Sequence, residues 1–589
     1  MDNPAETGAD FVPPFDKMTD TAITNSTGPG ITASIPIILR ILPLEFRLLA
    51  SALFIIWVGA HASLKRPPSA APTTVTRTGK PLRKVKKREE EDTFTQGLLP
   101  SDAIMFPVMA GIVLVGLYYL IQWLQDPAIL NKILNVYMTV GGLMSLSAFF
   151  AYFIQRGVHL VFPNFIRRNG IVYEFDTVNE IIRPVQPADS TKSGVQDGPI
   201  EPAQGPSSPF PFRFFGTSNQ NQNALLWELR HLLTEDWKVK LNIHNVVAEK
   251  FNFQFSSLLG AVGAVIVVAF YLATGSKPLS NLMGLGFCFG SFQFLSPTTF
   301  TTGGLVLSGL FVYDIVMVFF TPFMITVATK IDAPIKLTFE GAGRASMLGL
   351  GDIVIPGMVM ALALRFDLWR YYENKTTYVP TELTTDLDSG ATTTEICHIA
   401  KKKPYMDVTG RSGDRFWLSS WMGIFSKPKD DCPEVIRASG FSKTYFYASM
   451  IGYTLGMIVT LIVLIIFKHG QPALLYLVPG VLGSLWITGF VRGELKDMWI
   501  YTEDGSLDTE DVVVELDGDG NVIKVIDDKE KKLGDEDETK KDKKKDEAEQ
   551  AKKSAEMRAK GYDLYHFSVR APPRGGEQEV EVGDKEKSA

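Results

Sequence analysis

Residues 310–316 read Leu-Phe-Val-Tyr-Asp-Ile-Val, and residues 348–354 read Leu-Gly-Leu-Gly-Asp-Ile-Val. Each stretch sets one aspartate, Asp314 or Asp352, deep in an apolar run. A carboxylate at mid-membrane costs on the order of 3 kcal/mol or more. Whether these runs cross a bilayer therefore decides both the fold and the chemistry. A helical span needs about 20 apolar residues to cross ~30 Å of hydrocarbon. Nine stretches qualify, near 44–63, 103–124, 132–155, 257–275, 279–297, 302–328, 345–365, 445–467 and 472–491. Over the 589 residues, 46% are hydrophobic and 21% charged, and the two kinds are segregated into long runs and long blocks. The expected fold is an all-α polytopic membrane protein of nine transmembrane helices, with disordered loops and tail.

The first span follows about 40 polar, acidic residues rather than a short basic segment, so it does not read as a cleavable signal peptide. Nine spans put the two termini on opposite sides. The loop 64–102 carries Lys65, Arg66, Arg77, Lys80, Arg83, Lys84, Lys86, Lys87 and Arg88, which marks it as cytosolic. Alternation then makes 1–43 a lumenal segment, 44–365 spans one to seven with cytosolic loops 64–102 and 156–256, 366–444 a flexible cytosolic insertion, 445–491 spans eight and nine, and 492–589 a charged cytosolic tail. Asn25-Ser26-Thr27 is a glycosylation acceptor on the lumenal side. Residues 185–222 and 375–444 lack periodicity and read as flexible. Residues 528–560 are a solvated Lys/Glu/Asp block.

Several classes of function are excluded. A net charge of -6 gives no reason to expect nucleic acid. Cys288, Cys397 and Cys432 are too few and scattered for a disulfide framework or a zinc site. Cys397-His398, adjacent on a polar stretch, make a poor nucleophile pair. His61, His159 and His469 stand near span ends as interfacial polarity rather than metal ligands. Asp517-Gly518-Asp519-Gly520-Asn521 fails as a calcium loop, because Val522 stands where glycine is needed and Asp528 where glutamate is needed. A turn between Val512-Val513-Val514 and Val522-Ile523 accounts for it better. No cofactor or metal is expected.

Asp314 lies 11 residues after Gly303, and Asp352 lies 13 residues before Arg365. At 1.5 Å per helical residue these are depths of ~17 and ~20 Å from a shared face, so the two carboxyls reach one level. Gly303, Gly304, Ser308, Gly309, Gly349 and Gly351 permit close helix approach. Two carboxyls in contact share a single proton. The ionised member can then activate water while the protonated member polarises a carbonyl. Paired aspartates inside a membrane also suit a proton- or cation-coupled transporter. From the two aspartates alone, both readings stay open.

The flanking residues resemble one family. Tyr313-Asp314, Gly349-Leu350-Gly351-Asp352 and the Pro472-Ala473-Leu474 of residues 471–479, Gln-Pro-Ala-Leu-Leu-Tyr-Leu-Val-Pro, are similar to the three motifs of intramembrane aspartic proteases of the presenilin and signal peptide peptidase group, in the same order. The run 348–357 and the short segment Lys330 to Arg344 are closer to signal peptide peptidases than to presenilins. The resemblance implies a presenilin-like fold and cofactor-free hydrolysis of signal peptides and type II transmembrane segments within the bilayer. It implies Asp314 and Asp352 as the catalytic pair, with Tyr313 beside them and Gly349, Leu350 and Gly351 leaving room for an extended substrate backbone. Pro472, Ala473 and Leu474 would present backbone groups at the site. Helical transmembrane peptides are the implied substrates and the lipid bilayer the medium. The endoplasmic reticulum membrane is the implied location, with a homo-oligomer or quality-control partners there as further expectations. The ending Lys585-Glu586-Lys587-Ser588-Ala589 matches no retention signal.

Two sequons test the orientation. With a lumenal amino terminus, Asn25 is glycosylated and Asn374, in Asn374-Lys375-Thr376, is not. Glycosidase digestion of Asn25→Gln and Asn374→Gln variants should show a mobility shift lost only in the former. A shift lost only in the latter inverts the topology.

Overall fold

The computed structural model describes residues 31–72, 96–124, 127–168, 170–177, 179–185, 209–211, 220–243, 247–331, 333–341, 344–386, 392–419, 428, 432–467, 471–505, 507, 511–516, 522–526 and 565–570. Asn25, the 528–560 block, His469 and most of 185–222 lie outside them. The helices are α1 (Ile31–Ala62), α2 (Pro100–Leu124), α3 (Pro127–Val161), α4 (Gln220–Thr234), α5 (Phe255–Thr274), α6 (Lys277–Phe294) and α7 (Phe300–Phe319). They continue with α8 (Phe323–Lys330), α9 (Leu350–Glu373), α10 (Ser412–Ser419), α11 (Glu434–Ser439), α12 (Thr444–Phe467), α13 (Leu474–Arg492) and α14 (Leu495–Ile500).

Each of the nine apolar stretches coincides with a helix: α1, α2, α3, α5, α6, α7, α9, α12 or α13. Among the described residues, 7 helices are long and apolar enough to cross a membrane by length and composition. The two stretches outside that set are diluted by polar residues: Lys277, Asn281 and Gln293 in α6, and Asp352, Arg365 and Asp367 in α9. The outward faces are apolar. Ile112, Val113 and Trp123 on α2 and Val262, Ile266 and Phe270 on α5 are exposed, as suits helices whose solvent is hydrocarbon.

The span boundaries need two corrections. The sixth stretch is broken at Phe320–Pro322, because proline lacks the N–H that would continue the helix, and the chain restarts as α8. The seventh begins at Leu350 rather than 345, because the residues before it form strand pairs. It then runs past Arg365 to Glu373, its polar groups being held by ion pairs rather than ending the helix.

The expectation of an all-α chain with flexible loops also needs correction, since the segments between helices carry strands. They are β1 (Gln96–Leu98), β2 (Phe165–Arg168), β3 (Ile171–Asp176), β4 (Ile181–Pro184), β5 (Asp236–Ile243), β6 (Val247–Gln254) and β7 (Leu295–Pro297). Further along are β8 (Lys336–Gly341), β9 (Arg344–Gly349), β10 (Thr377–Asp386), β11 (Thr392–Lys401), β12 (Asp511–Leu516), β13 (Val522–Ile526) and β14 (Tyr565–Arg570). The 366–444 stretch contains the β10–β11 hairpin, which joins β12–β13 from the tail in the order β10-β11-β12-β13. The hairpin expected between Val512 and Ile523 forms as β12–β13, with residues 517–521 outside the described set. Strand β14 pairs antiparallel with β5, and β1 pairs parallel with β7.

Helix α9 is the centre of the molecule. Residues 356–369 are buried without a break, and the helix packs on α1, α6, α7, α12 and α13. Helices α12 and α13 meet backbone to backbone: a Cβ at Gly452 would fall 2.2 Å from the Gly480 carbonyl oxygen, so only glycine fits that crossing.

One end of α9 is fastened by charge. Arg365 Nε donates to Glu503 Oε1 at 2.7 Å, and its two other nitrogens donate to Ser63 at 3.0 Å and Ser296 at 2.5 Å. Glu503 also pairs with Lys65 at 3.0 Å and accepts from the Tyr501 hydroxyl at 2.8 Å. Burial alone would push the Glu503 carboxyl up, but Arg365 and Lys65 outweigh it and hold the group below the ordinary glutamate range. A folded value below the unfolded one means stability that is present above the unfolded pKa, about 4.3, and lost as pH falls through the folded value. Removing one partner of a buried pair costs about 3–5 kcal/mol. Glu503→Gln should therefore lower the thermal midpoint in detergent at pH 7, with the gap to wild type closing below pH about 4. An equal gap at both pH values contradicts the linkage.

Candidate functional site

Helices α7 and α9 run antiparallel, and their register is fixed at one end. The Phe300 and Phe366 rings stand edge to face at 5.3 Å, and a Cβ at Gly303 would come 2.9 Å from Val359. Counting equally inward from the Phe300–Phe366 contact reaches Asp314 on α7 and Asp352 on α9. The two carboxyls lie near enough for their charges to interact. Each carboxyl is 14 residues from that contact along its own helix.

Asp314 is 3% exposed. Its Oδ2 accepts the backbone N–H of Leu474, the first residue of α13, at 3.0 Å. That N–H is one of the donors a helix start leaves without an intrahelical partner. A carboxylate from α7 thus caps a helix from another part of the chain. Pro472 is buried just before this turn, and Ala473 precedes the helix, accepting from the N–H of Leu477 at 3.2 Å. Of the three motif residues, Leu474 reaches Asp314, through its backbone N–H, while the Pro472 and Ala473 carbonyls accept N–H groups of the first turn of α13.

Asp352 is half-buried in the first turn of α9. The hairpin β8–β9, with Lys336 opposite Gly349 and Gly341 opposite Arg344, delivers the chain to it. Leu350 is buried against Gly284 of α6, and its N–H donates to the Ile335 carbonyl at 3.1 Å. Gly349 adjoins the carboxylate: a Cβ there would stand 3.2 Å from Asp352 Oδ2. Gly351 is exposed, with Ile355 4.0 Å from its Cβ position. Tyr313 is half-buried, and its ring lies 3.7 Å from the Cβ position of Gly111 on α2, a packing contact between helices. Among the described residues no three His, Cys, Asp or Glu side chains stand together as a metal site.

Two residues here escape motif reading. Asn281 of α6 brackets the peptide of Thr338: its side-chain nitrogen donates to the Thr338 carbonyl at 2.7 Å and its oxygen accepts the Thr338 N–H at 2.8 Å. It thereby holds the outer edge of β8. Tyr453 of α12 donates its hydroxyl to the Asp352 backbone carbonyl at 3.3 Å. A polar side chain within an apolar span is the signal each carries in the sequence.

Two carboxyls converging between apolar helices are the arrangement that hydrolysis of the aspartic type would require. Comparison with known proteins carries the class to a family. The family profile described as signal peptide peptidase matches residues 86–505. The chain is 26% identical over 439 residues to the signal peptide peptidase of Homo sapiens, covering 73% of this chain and 81% of that protein. It is 26% identical over 415 residues to that of Mus musculus, covering 69% and 74%. A Schizosaccharomyces pombe protein named as an intramembrane protease is 31% identical over 260 residues, 44% of this chain and 68% of its own length. No solved structure matches. The chain belongs to the signal peptide peptidase family of intramembrane aspartic proteases, and is a multi-pass membrane enzyme. The transporter reading of the two aspartates has no support.

The two glycines predict different kinetic losses. Gly349 has φ -63 and ψ 140, which alanine also adopts, so Gly349→Ala acts only by crowding the Asp352 carboxylate. With Asp352 as a member of the catalytic pair that the sequence motifs imply, it should lower kcat by roughly tenfold or more, because small displacements of a reacting group are costly. Gly351→Ala leaves the carboxylate where it is and should raise KM instead. Steady-state kinetics on a transmembrane peptide separate the two, and a kcat loss confined to Gly351→Ala contradicts the geometry.

Proposed function

We propose that Asp314 and Asp352 are the catalytic pair of this protease, and that the substrate is a transmembrane helix opened locally at their level. The observation that carries the reading is the convergence of Asp314, Asp352 and the Leu474 N–H at the inner ends of α9 and α13. Both helices begin there, so the backbone before each is non-helical at membrane depth, which is tolerated where it lines a cavity or is buried in protein. A hydrolytic site needs such a cavity for water. The ionised carboxyl takes a proton from water as its oxygen attacks the scissile carbonyl carbon. The protonated carboxyl hydrogen-bonds the carbonyl oxygen as it gains negative charge. Collapse of the tetrahedral intermediate breaks the C–N bond, and the amine leaves with a proton from the pair. A helical peptide bond is shielded by its own turn, so Gly, Ser and other weak helix formers near the scissile bond favour cleavage. Signal peptides and type II segments are the substrates that the relatives' names and the sequence motifs suggest.

The same reading takes α1, α2, α3, α5, α6, α7, α9, α12 and α13 as nine alternating spans of a presenilin-like fold. Polar contacts between helix ends support the alternation, because they sort onto two faces. Ser63, Lys65, Ser296, Arg365 and Glu503 meet on one, together with Gln155 and Gln254 at 2.9 Å and with Arg370 and Glu494 at 2.6 Å. On the other, Glu45 accepts from Ser346 at 2.9 Å, Lys277 pairs with Glu340, and Asn135 accepts from Tyr271 at 3.1 Å. The basic loop 64–102 supports a cytosolic Arg365 face and a lumenal amino terminus, and the resemblance to signal peptide peptidases suggests the membrane of the endoplasmic reticulum.

Asp314→Ala and Asp352→Ala should each abolish cleavage of a signal-peptide-like substrate by detergent-purified enzyme while leaving a folded protein. A photoreactive hydroxyl-bearing mimic of the tetrahedral intermediate should label wild type and not the double variant. Substantial turnover by either single variant sinks the assignment of the pair.

A further inference from the structure

In an α-helix each carbonyl accepts the N–H four residues ahead. For Asp352 that residue is Pro356, inside α9, which has no N–H to give. The carbonyl of the aspartate is left without its helical donor in a region where water is scarce, and an unmade hydrogen bond there is costly. Tyr453 stands on α12 at 0% exposure, and its hydroxyl donates to that carbonyl at 3.3 Å. A phenol buried in an apolar span needs a partner, and this is the partner the structure gives it.

We propose that Tyr453 is a positioning residue for Asp352, supplying from α12 the hydrogen bond that Pro356 withholds. Its neighbour Gly452 is the point at which α12 meets α13 backbone to backbone at Gly480. The start of α13 is in turn fastened to Asp314 through the Leu474 N–H. The two carboxyls are therefore joined by a closed circuit of contacts: from Asp314 to α13, across the glycine crossing to α12, and through Tyr453 to the backbone of Asp352. Loss of the hydroxyl opens this circuit at the residue that carries the second carboxyl. Proline four residues after the aspartate makes the first turn of α9 dependent on another helix rather than on itself. The inference rests on the assignment of Asp352 to the catalytic pair.

The test is a double-mutant cycle on the full-length enzyme in detergent, with a signal-peptide-like transmembrane peptide. Tyr453→Phe removes only the hydroxyl and should lower kcat about five- to tenfold, with KM little changed, and the carbonyl left unpaired should lower the thermal midpoint only slightly. Pro356→Ala restores a backbone N–H to the Asp352 carbonyl, with Pro356→Leu as the substitute if the alanine variant does not fold. In either background the added loss from Tyr453→Phe should shrink to about twofold or less. Wild-type kcat in Tyr453→Phe overturns the inference. So does an equal penalty with and without Pro356, which would make the hydroxyl act elsewhere. Asp352→Ala is the control arm: if it retains turnover, the assignment of the pair has failed. If it is inert while Tyr453→Phe is fully active, only the role of Tyr453 has failed.

Discussion

A helix that starts inside the apolar layer exposes N–H groups that lipid cannot satisfy. Two helices of this enzyme, α9 at Leu350 and α13 at Leu474, start among buried apolar side chains, and the arrangement around Asp314 and Asp352 follows from how those starts are completed. For α13 a first-turn donor goes to the Asp314 carboxylate. For α9 the Leu350 N–H goes to the chain just before β8, at Ile335. A buried carboxylate thereby meets the hydrogen-bonding demand of a helix start contributed by a distant part of the chain. The same device recurs at the far end of α9, where Asp367 accepts from the N–H groups of Tyr445 and Phe446 in the first turn of α12, at 3.3 and 3.0 Å.

The outer end of α9 is fixed by different means. Arg365 gathers the end of α1, the exit of α6 and the segment after α14 around one guanidinium, with Glu503 closing the group. A second cluster, Arg370 with Glu494 and Asp497, repeats the pattern within two turns. These charges sit where the apolar packing of α9 gives way to polar surroundings, so the helix is held by hydrocarbon contacts along its length and by ion pairs at its end. Its position along the axis, and with it the depth of Asp352, is set at both ends.

The sequence makes the helices and the pair legible for one reason: the bilayer demands about 20 apolar residues per crossing, and a carboxylate within such a run stands out. The depth of Asp314 and Asp352 follows from residue counts because both lie on regular helix on the way to a common end. Other features depend on distant parts of the chain. That α9 starts at Leu350 is decided by the pairing of 344–349 with 336–341, and the run Ala345 to Gly349 is as compatible with helix as with strand. The β10–β11 hairpin is completed by residues 511–516, far along the chain, so no local period announces its sheet. Asn281 and Tyr453 are visible as polar residues in apolar runs, but their partners are backbone groups, which carry no sequence signature.

The pairing of β14 with β5 bears on biogenesis. Strand β5 occupies residues 236–243 and β14 residues 565–570, with α5 to α13 encoded between them. On the ribosome the β5–β6 hairpin is complete before those helices are made, so throughout their insertion the outer edge of β5 waits without its eventual partner. An unpaired strand edge is a template for any passing chain. Assembly of this sheet is therefore a late event, gated by the emergence of the tail rather than by the membrane. A chain cut short after α13 keeps every helix of the site and still presents a bare strand to its surroundings.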